Sequence, residues 1–205
     1  MSALVGIALD EGLIEDINDP IIKYLDDFKG TGYEGVSIKN LLQMSSGIKF
    51  NEDYGDPDSD INRYGRVTAT GTSQREFAKT LKNSKKPGTY NHYISLDSQM
   101  LGMLVAEVSN MSVKEYLYEK IWSRIGMQDD AFYLTDKQEV EMSLGGLNVT
   151  LRDMAKFGQL YLNKGKWNGN QIVPSEWVAN STVPLDKHVQ PNAGEEFTSD
   201  AWGYG

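Results

Sequence analysis

Cysteine is absent from this 205-residue chain, and only two histidines are present, His92 and His188. The lack of cysteine excludes disulfides, thiolate catalysis and zinc sites with thiolate ligands, but it does not indicate a redox compartment. Two histidines are too few for a histidine-rich metal site. The sequence therefore predicts neither a bound metal nor an organic cofactor.

Basic residues are outnumbered by acidic ones. Lysine and arginine together number 20, aspartate and glutamate 29, and the formal net charge is −9. An acidic surface repels the phosphate backbone, and no run of basic residues is interleaved with aromatics. Nucleic acid is therefore not expected as a partner.

Long hydrophobic runs are also lacking. The longest, at residues 3–9, is far too short to span a bilayer. It has neither the basic start nor the small-residue cleavage site of a secretory signal peptide. We expect no membrane span in this chain, and any export signal would lie upstream of it. The bacterial cytoplasm and the cell envelope both stay open as locations, and the oligomeric state is not indicated.

Helical patterns dominate what is present. Ser37 precedes apolar residues at helical spacing, and Thr150 is placed to cap a helix over residues 151–162. An apolar stripe recurs every three or four residues between Asp97 and Ser109. Residues 49–71 are rich in Asp, Asn, Gly and Tyr, and they are predicted to form a long irregular loop.

Five motifs occur in the order and spacing of one family. They are Ile-Ala-Leu-Asp-Glu-Gly-Leu at 7–13, Ser-Ile-Lys-Asn-Leu-Leu-Gln-Met-Ser-Ser-Gly at 37–47, Pro-Gly at 87–88 with Tyr-Ile-Ser at 93–95, Leu-Gly at 101–102, and Gly-Gly-Leu followed by Asp, Ala and Phe-Gly at 145–158. Together they resemble the class C β-lactamase-like, or penicillin-binding-protein, superfamily of serine hydrolases. The likeness is to its esterase and 6-aminohexanoate-oligomer hydrolase branch.

The resemblance implies a mostly α chain, the helical domain of the β-lactamase/transpeptidase-like α+β fold, with the α/β sheet domain largely missing. Residues 1–205 would then be a partial domain, the middle portion of a longer protein. Residues 1–9 look like the tail of a buried helix without a cap, and residues 202–205 like the opening of a strand. We expect the nucleophilic Ser-x-x-Lys segment upstream of Met1 and the family's Lys-Thr-Gly or His-x-Gly strand downstream of Gly205.

Catalysis in this family uses a serine with a lysine one helical turn away, together with a tyrosine that relays the proton. The resemblance assigns that tyrosine to Tyr93, six residues after Pro87, and places Ser95 where the motif can carry asparagine. A hydroxyl there can still donate one hydrogen bond. It assigns a pocket-lining role to Gly145 and Gly146, although such a pair can also serve close backbone approach.

Other candidates have simpler interpretations. Tyr90 is the alternative proton-relay residue if the register differs, and His92 is interpreted as a wall or surface residue. Ser46-x-x-Lys49 matches the nucleophile motif formally. It lies at the C-terminal end of its predicted helix, whereas the reactive serine needs the N-terminal end.

The predicted activity is acyl transfer to serine followed by hydrolysis. Small esters, linear amides and D-amino-acid peptides are the expected substrates, and β-lactams are further candidates. On their own, the 205 residues are expected to be inactive. The alternative is a catalytically inactive homologue, or a helical scaffold that binds ligands or a protein partner.

Overall fold

The computed structural model describes residues 1–183, which form eight α-helices, three 3₁₀ turns and four short strands. The helices are α1 (Ser2–Asp10), α2 (Ile38–Leu42), α3 (Asp60–Thr70), α4 (Gln74–Thr80), α5 (Ser95–Ser109), α6 (Val113–Lys120), α7 (Leu151–Leu162) and α8 (Ser175–Thr182). The 3₁₀ turns are Ile21–Lys23, Asp26–Phe28 and Trp122–Arg124. The strands are β1 (Phe132–Tyr133), β2 (Leu147–Asn148), β3 (Lys166–Trp167) and β4 (Asn170–Gln171).

Five of the helices begin after a serine or threonine whose side chain accepts a hydrogen bond from the backbone N–H three residues on. These caps are Ser37, Ser59, Ser73, Ser112 and Thr150. Each cap satisfies one of the N–H groups that a helix leaves without a partner in its first turn. The predicted helix over residues 151–162 is confirmed at both ends.

The prediction of one long loop over residues 49–71 was wrong for its second half, which forms α3. Ser59 caps this helix, and Ile61 and Tyr64 point into the core. The ring of Tyr64 meets Phe77 of α4 edge to face, with centroids 5.4 Å apart. Tertiary packing of these few apolar positions stabilises a segment with weak helix propensity of its own.

Helix α5 is the centre of the described structure. The predicted apolar stripe is confirmed, since Met100, Leu101, Leu104 and Val105 are buried. Helices α1, α2 and α6 all pack against α5. The helix begins at Ser95, two residues earlier than predicted. Helix α5 is therefore held in place by contacts with three other helices.

Strands are few and short. Strand β1 pairs with β2, and β3 pairs with β4, both antiparallel. The β3–β4 connection is a tight turn at residues 167–170, with Asn168 and Gly169 both at positive φ. The mostly helical character is thus confirmed for residues 1–183. The strand predicted at 202–205 lies outside the described residues, and the absence of the sheet domain stays a prediction.

Candidate active site

Tyr93 and Ser95 lie at the point where an extended segment enters α5. Ile94, between them, has an extended backbone and a fully buried side chain. Because neighbouring side chains of an extended segment point in opposite directions, burial of Ile94 turns Tyr93 outward. Tyr93 is 46% exposed, whereas Ser95, the first residue of the helix, is only 2% exposed. Nearly half of the Tyr93 surface is therefore open to solvent.

Glu52 holds the start of α5 from a distant part of the chain. Its Oε2 atom accepts a hydrogen bond from the backbone N–H of Ser95 at 2.9 Å, and its Oε1 atom accepts one from the Ser95 hydroxyl. Ile94, at the capping position, offers no side-chain hydrogen bond. Glu52 therefore replaces a local cap, and its charge suits the positive end of the helix dipole.

Tyr54 completes this group, since its hydroxyl donates to Oε1 of Glu52 at 2.9 Å. The Ser95 hydroxyl acts to lower the pKa of Tyr54, but partial burial and the Glu52 carboxylate together raise it above its usual value, and Tyr93 adds in the same direction. Tyr54 therefore stays protonated at neutral pH. We call Glu52, Tyr54, Tyr93 and Ser95 the phenol–carboxylate cluster.

The segment before Tyr93 is tied to the residues that follow α2. The backbone N–H of His92 donates to the carbonyl of Met44 at 2.8 Å, and the Asn91 side chain donates to the carbonyl of Gln43 at 3.0 Å. These two bonds fix the segment one and two residues before Tyr93. The position of the phenol is thus set by backbone contacts on one side and by α5 on the other.

Tyr90, the alternative proton-relay residue, has different neighbours. The Lys85 ammonium lies 3.7 Å from the centroid of its ring, and His92 stacks on it at 6.3 Å. The Nε2 atom of His92 is 3.1 Å from the carbonyl oxygen of Phe50. These contacts agree with the interpretation of His92 as a wall residue. The assignment of proton relay to Tyr93, with Tyr90 as the alternative, stays a prediction.

Ser46 is placed unlike a reactive serine. It follows the last residue of α2 by four positions and is buried. Its neighbour Gly47 has a φ of +74°, and the carbonyl oxygen of Lys85 occupies the space that a β-carbon there would need. The Ser46-x-x-Lys49 match therefore lies in a tight backbone crossing after a helix, as the sequence interpretation held.

Asp97 is a buried carboxylic acid two residues after Ser95 in α5. Its side chain is fully buried in the first turn of α5, beside Ser46 and Tyr33. Burial raises the pKa of Asp97 well above its usual value, while Ser46 and Tyr33 act more weakly in the opposite direction. Among the described residues, no hydrogen bond of ordinary geometry reaches its two oxygens. The neutral acid is thus the favoured form.

Gly145 and Gly146 differ in their surroundings. Gly146 is buried, and a β-carbon on it would lie 2.7 Å from the carbonyl oxygen of Met142. Its own carbonyl accepts from the N–H of Leu134 at 2.8 Å. Gly145 is exposed, with free space around it. Close backbone approach explains Gly146, and a pocket-lining role for either glycine stays a prediction.

The chain that leads to these glycines lies along α5. Gln99, one turn beyond Ser95, donates through its side chain to the carbonyl of Glu141 at 2.9 Å. One turn farther, the side chain of Ser143 fills the space next to Gly102. Helix α5 therefore begins at Ser95, and the residues that precede Gly145 pack along it.

Met1 reaches the same helix. Its Cε atom lies 3.8 Å from the place of a β-carbon on Gly102. Gly102 is seven residues into α5 from Ser95, which corresponds to about 10 Å along the helix axis. Met1 and Leu147 also line a largely apolar cavity of about 170 Å³. Met1 is thus near α5 and near Leu147, the residue that follows Gly146.

Two kinds of feature are absent from residues 1–183. No three His, Asp or Glu side chains in this range are placed to hold a metal ion. No helix in the same range is long and apolar enough to cross a membrane.

Comparison with known proteins places this arrangement in a family. The family model described as Beta-lactamase matches residues 1–205, the whole chain. The chain belongs to the beta-lactamase family. The resemblance drawn from the five motifs is therefore confirmed.

Relatives of this beta-lactamase family chain include the 6-aminohexanoate-dimer hydrolase of Paenarthrobacter ureafaciens, 30% identical over 203 residues, with 96% of this chain and 51% of the relative covered. A solved structure from Bacillus anthracis, provisionally named a 6-aminohexanoate-dimer hydrolase, is 27% identical with a TM-score of 0.78, covering 87% of this chain and 49% of that one. A D-stereospecific amidohydrolase from Streptomyces sp. shares the fold at 16% identity and a TM-score of 0.67. The match covers 99% of this chain and 66% of that one. The chain thus spans about half the length of the curated relative.

Two residues of the candidate site, Glu52 and Tyr54, were not identified from the sequence of this beta-lactamase family chain. Glu52 was not singled out, because it stands among several acidic residues of a polar loop. Tyr54 belongs to the segment predicted as a long irregular loop, and its ring is exposed, but its hydroxyl donates a hydrogen bond to Glu52. Nothing in the spacing of that loop distinguishes the one carboxylate that reaches α5.

Proposed function

We propose that the intact protein is a serine hydrolase that acts through an acyl-enzyme on an ester, a linear amide or a D-amino-acid peptide bond. The family membership and the hydrolase names of its relatives support this class of reaction. The observation that carries the proposal is the placement of Tyr93, accessible and fixed immediately before the buried start of α5.

In the proposed reaction, the serine of a Ser-x-x-Lys segment preceding Met1 attacks the carbonyl carbon. The serine loses its proton as the new C–O bond forms, and Tyr93 passes that proton to the departing alcohol or amine as the old bond breaks. Water then attacks the acyl-serine ester, releases the carboxylic acid and returns a proton to the serine. We assign Ser95 a hydrogen bond within the site, and Gly145 and Gly146 to its lining.

The start of α1 supports this location of the nucleophile. Met1 lies beside α5 about 10 Å along the axis from Ser95, so a helix continued upstream by one or two turns has a reach of the same size. Buried Ser46 is a poor substitute, because it lacks both access and a helix N-terminus.

Acylation of the full-length protein tests the proposal. The protein is treated with a fluorophosphonate or a penicillin-type probe, and the adduct is located by peptide mass spectrometry. We expect one adduct, on the serine of a Ser-x-x-Lys segment upstream of Met1. An adduct on Ser46 would overturn the assignment of the nucleophile, and no adduct with either probe would support the inactive scaffold instead. The 205 residues alone serve as the control and are expected to stay unlabelled.

A further inference from the structure

Glu52 has a role that neither the family motifs nor the names of the relatives assign. We propose that Glu52 is a positioning residue, which holds Ser95 and the first turn of α5 so that Tyr93 faces the reacting bond. Glu52 acts through Ser95 and does not itself touch the substrate. This inference rests on the proposed hydrolase function.

The first argument is the hydrogen bonding of the carboxylate. Oε2 accepts from the Ser95 N–H at 2.9 Å, while Oε1 accepts from the hydroxyls of both Ser95 and Tyr54. Hydrogen bonds to a charged acceptor are roughly twice as strong as neutral ones. Both oxygens are thus committed to Ser95 and Tyr54.

The second argument is that α5 has no cap of its own. Ile94 precedes the helix and offers no side-chain acceptor, unlike the serine and threonine caps of five other helices. The N–H and hydroxyl of Ser95 are buried, so without Glu52 they would be left without this partner. Glu52 and Ser95 are 43 residues apart, which makes their bond a link between two segments.

The third argument is that Glu52 is itself held in place. The N–H of its neighbour Asn51 donates to the side chain of Asp60 at 2.9 Å, and Asp60 is the first residue of α3. The side chain of Asn62 donates to the carbonyl of Asp56 at 2.8 Å. The loop around Glu52 is therefore anchored on α3, and it transmits the position of that helix to the start of α5.

Three substitutions separate positioning from general stability. In Glu52→Ala the two bonds to Ser95 are lost, and in Glu52→Asp the shorter side chain cannot bridge both groups. An error of about 1 Å at a reacting group can lower a rate by about 100-fold. We expect kcat for an activated ester to fall roughly 10- to 100-fold in both variants, with KM changed by less than about threefold. Glu52→Gln keeps an acceptor and the side-chain length, and is expected to recover most of kcat.

The decisive measurement is a double-mutant cycle between Glu52→Ala and Ser95→Ala in the full-length protein. Because Glu52 acts through Ser95, the double variant is expected to be no slower than the slower single variant. Additive losses in log kcat, or a kcat unchanged by both Glu52→Ala and Glu52→Asp, would overturn the inference. Glu176→Gln, an exposed carboxylate of α8, is the control, and melting temperatures identify any variant that is simply unfolded.

Failure of this inference and failure of the proposed function give different results. If the wild-type protein is acylated and Tyr93→Phe slows acylation while the Glu52 variants do not, only the positioning role is wrong. If the wild-type protein neither hydrolyses esters nor reacts with the probes, the proposed function itself is wrong.

Discussion

The indole ring of Trp177 in α8 lies directly against Gly6 in α1, in the space that a β-carbon on Gly6 would occupy. The ring is buried, and its Nε1 atom donates to the hydroxyl of Ser2 at 3.1 Å. Helix α8 therefore packs on α1 because one position of α1 has no side chain. This contact fixes the orientation of α1 relative to α8.

Replacing Gly6 by alanine should destabilise the fold. The added methyl group collides with the Trp177 ring, and overpacking of this kind costs about 1–3 kcal/mol. The matched control is Gly158→Ala in α7, where nothing lies within 4 Å of the new β-carbon. There the better helix propensity of alanine should stabilise by roughly 0.5–1 kcal/mol. Urea unfolding measures both, and equal free energies of unfolding for the two variants would contradict the packing account.

The fold was predictable where local signals and tertiary packing agree. Thr150 caps α7, and the helix begins and ends where its pattern predicts. In α3 the local signals conflict, since Gly65 and two threonines weaken a helix that Ile61 and Tyr64 hold against the core. Its capping residue, Ser59, was the signal that could have identified it.

The site was predictable only for residues that belong to the ordered series of motifs. Tyr93 and Ser95 follow from their place in the motif series, and the structure puts them together at the start of α5. The contact between Glu52 and Ser95 joins residues 43 positions apart, and no periodicity links them. Long-range side-chain pairing of this kind depends on the folded path of the loop.

The neutral acid at Asp97 should give stability a distinctive pH dependence. Its pKa in the folded protein is raised above the ordinary value of 3.8, so the unfolded chain loses the proton first as pH rises. The free energy of unfolding should therefore fall from about pH 4 upward, until the folded-state pKa is reached. In Asp97→Asn this fall should disappear.

Urea unfolding at pH 5 and pH 8 measures the effect. The stability of the wild type relative to Asp97→Asn should be lower at pH 8 than at pH 5. The exposed Asp129→Asn is the control and should leave the wild-type pH dependence intact. An unchanged difference between wild type and Asp97→Asn at the two pH values would refute the neutral-acid assignment.

Asp153 should show the opposite pH behaviour. The Lys156 ammonium and the N–H groups of Gln128 and Asp129 outweigh burial and lower the pKa of Asp153 to about 2. Its stabilising contribution is present above pH 4 and is lost as pH falls toward 2. Asp153→Asn should melt at a lower temperature than wild type at pH 7, and the gap should narrow between pH 4 and pH 2.

Calorimetric melting across that pH range tests this expectation. Exposed Asp130→Asn is the control and should follow the wild-type curve. A gap between Asp153→Asn and wild type that stays constant from pH 7 to pH 2 would mean that the charge of Asp153 contributes nothing.

Proton relay by Tyr93 is the central claim, and the acylation rate of the full-length protein tests it most directly. The measurement compares wild type, Tyr93→Phe and Tyr90→Phe with one activated ester or β-lactam probe, by stopped-flow or timed mass spectrometry. Positioned proton transfer contributes about 100- to 10,000-fold, so Tyr93→Phe should be slower by that order while Tyr90→Phe stays near wild type. Equal rates for Tyr93→Phe and wild type, or a loss confined to Tyr90→Phe, would contradict the account.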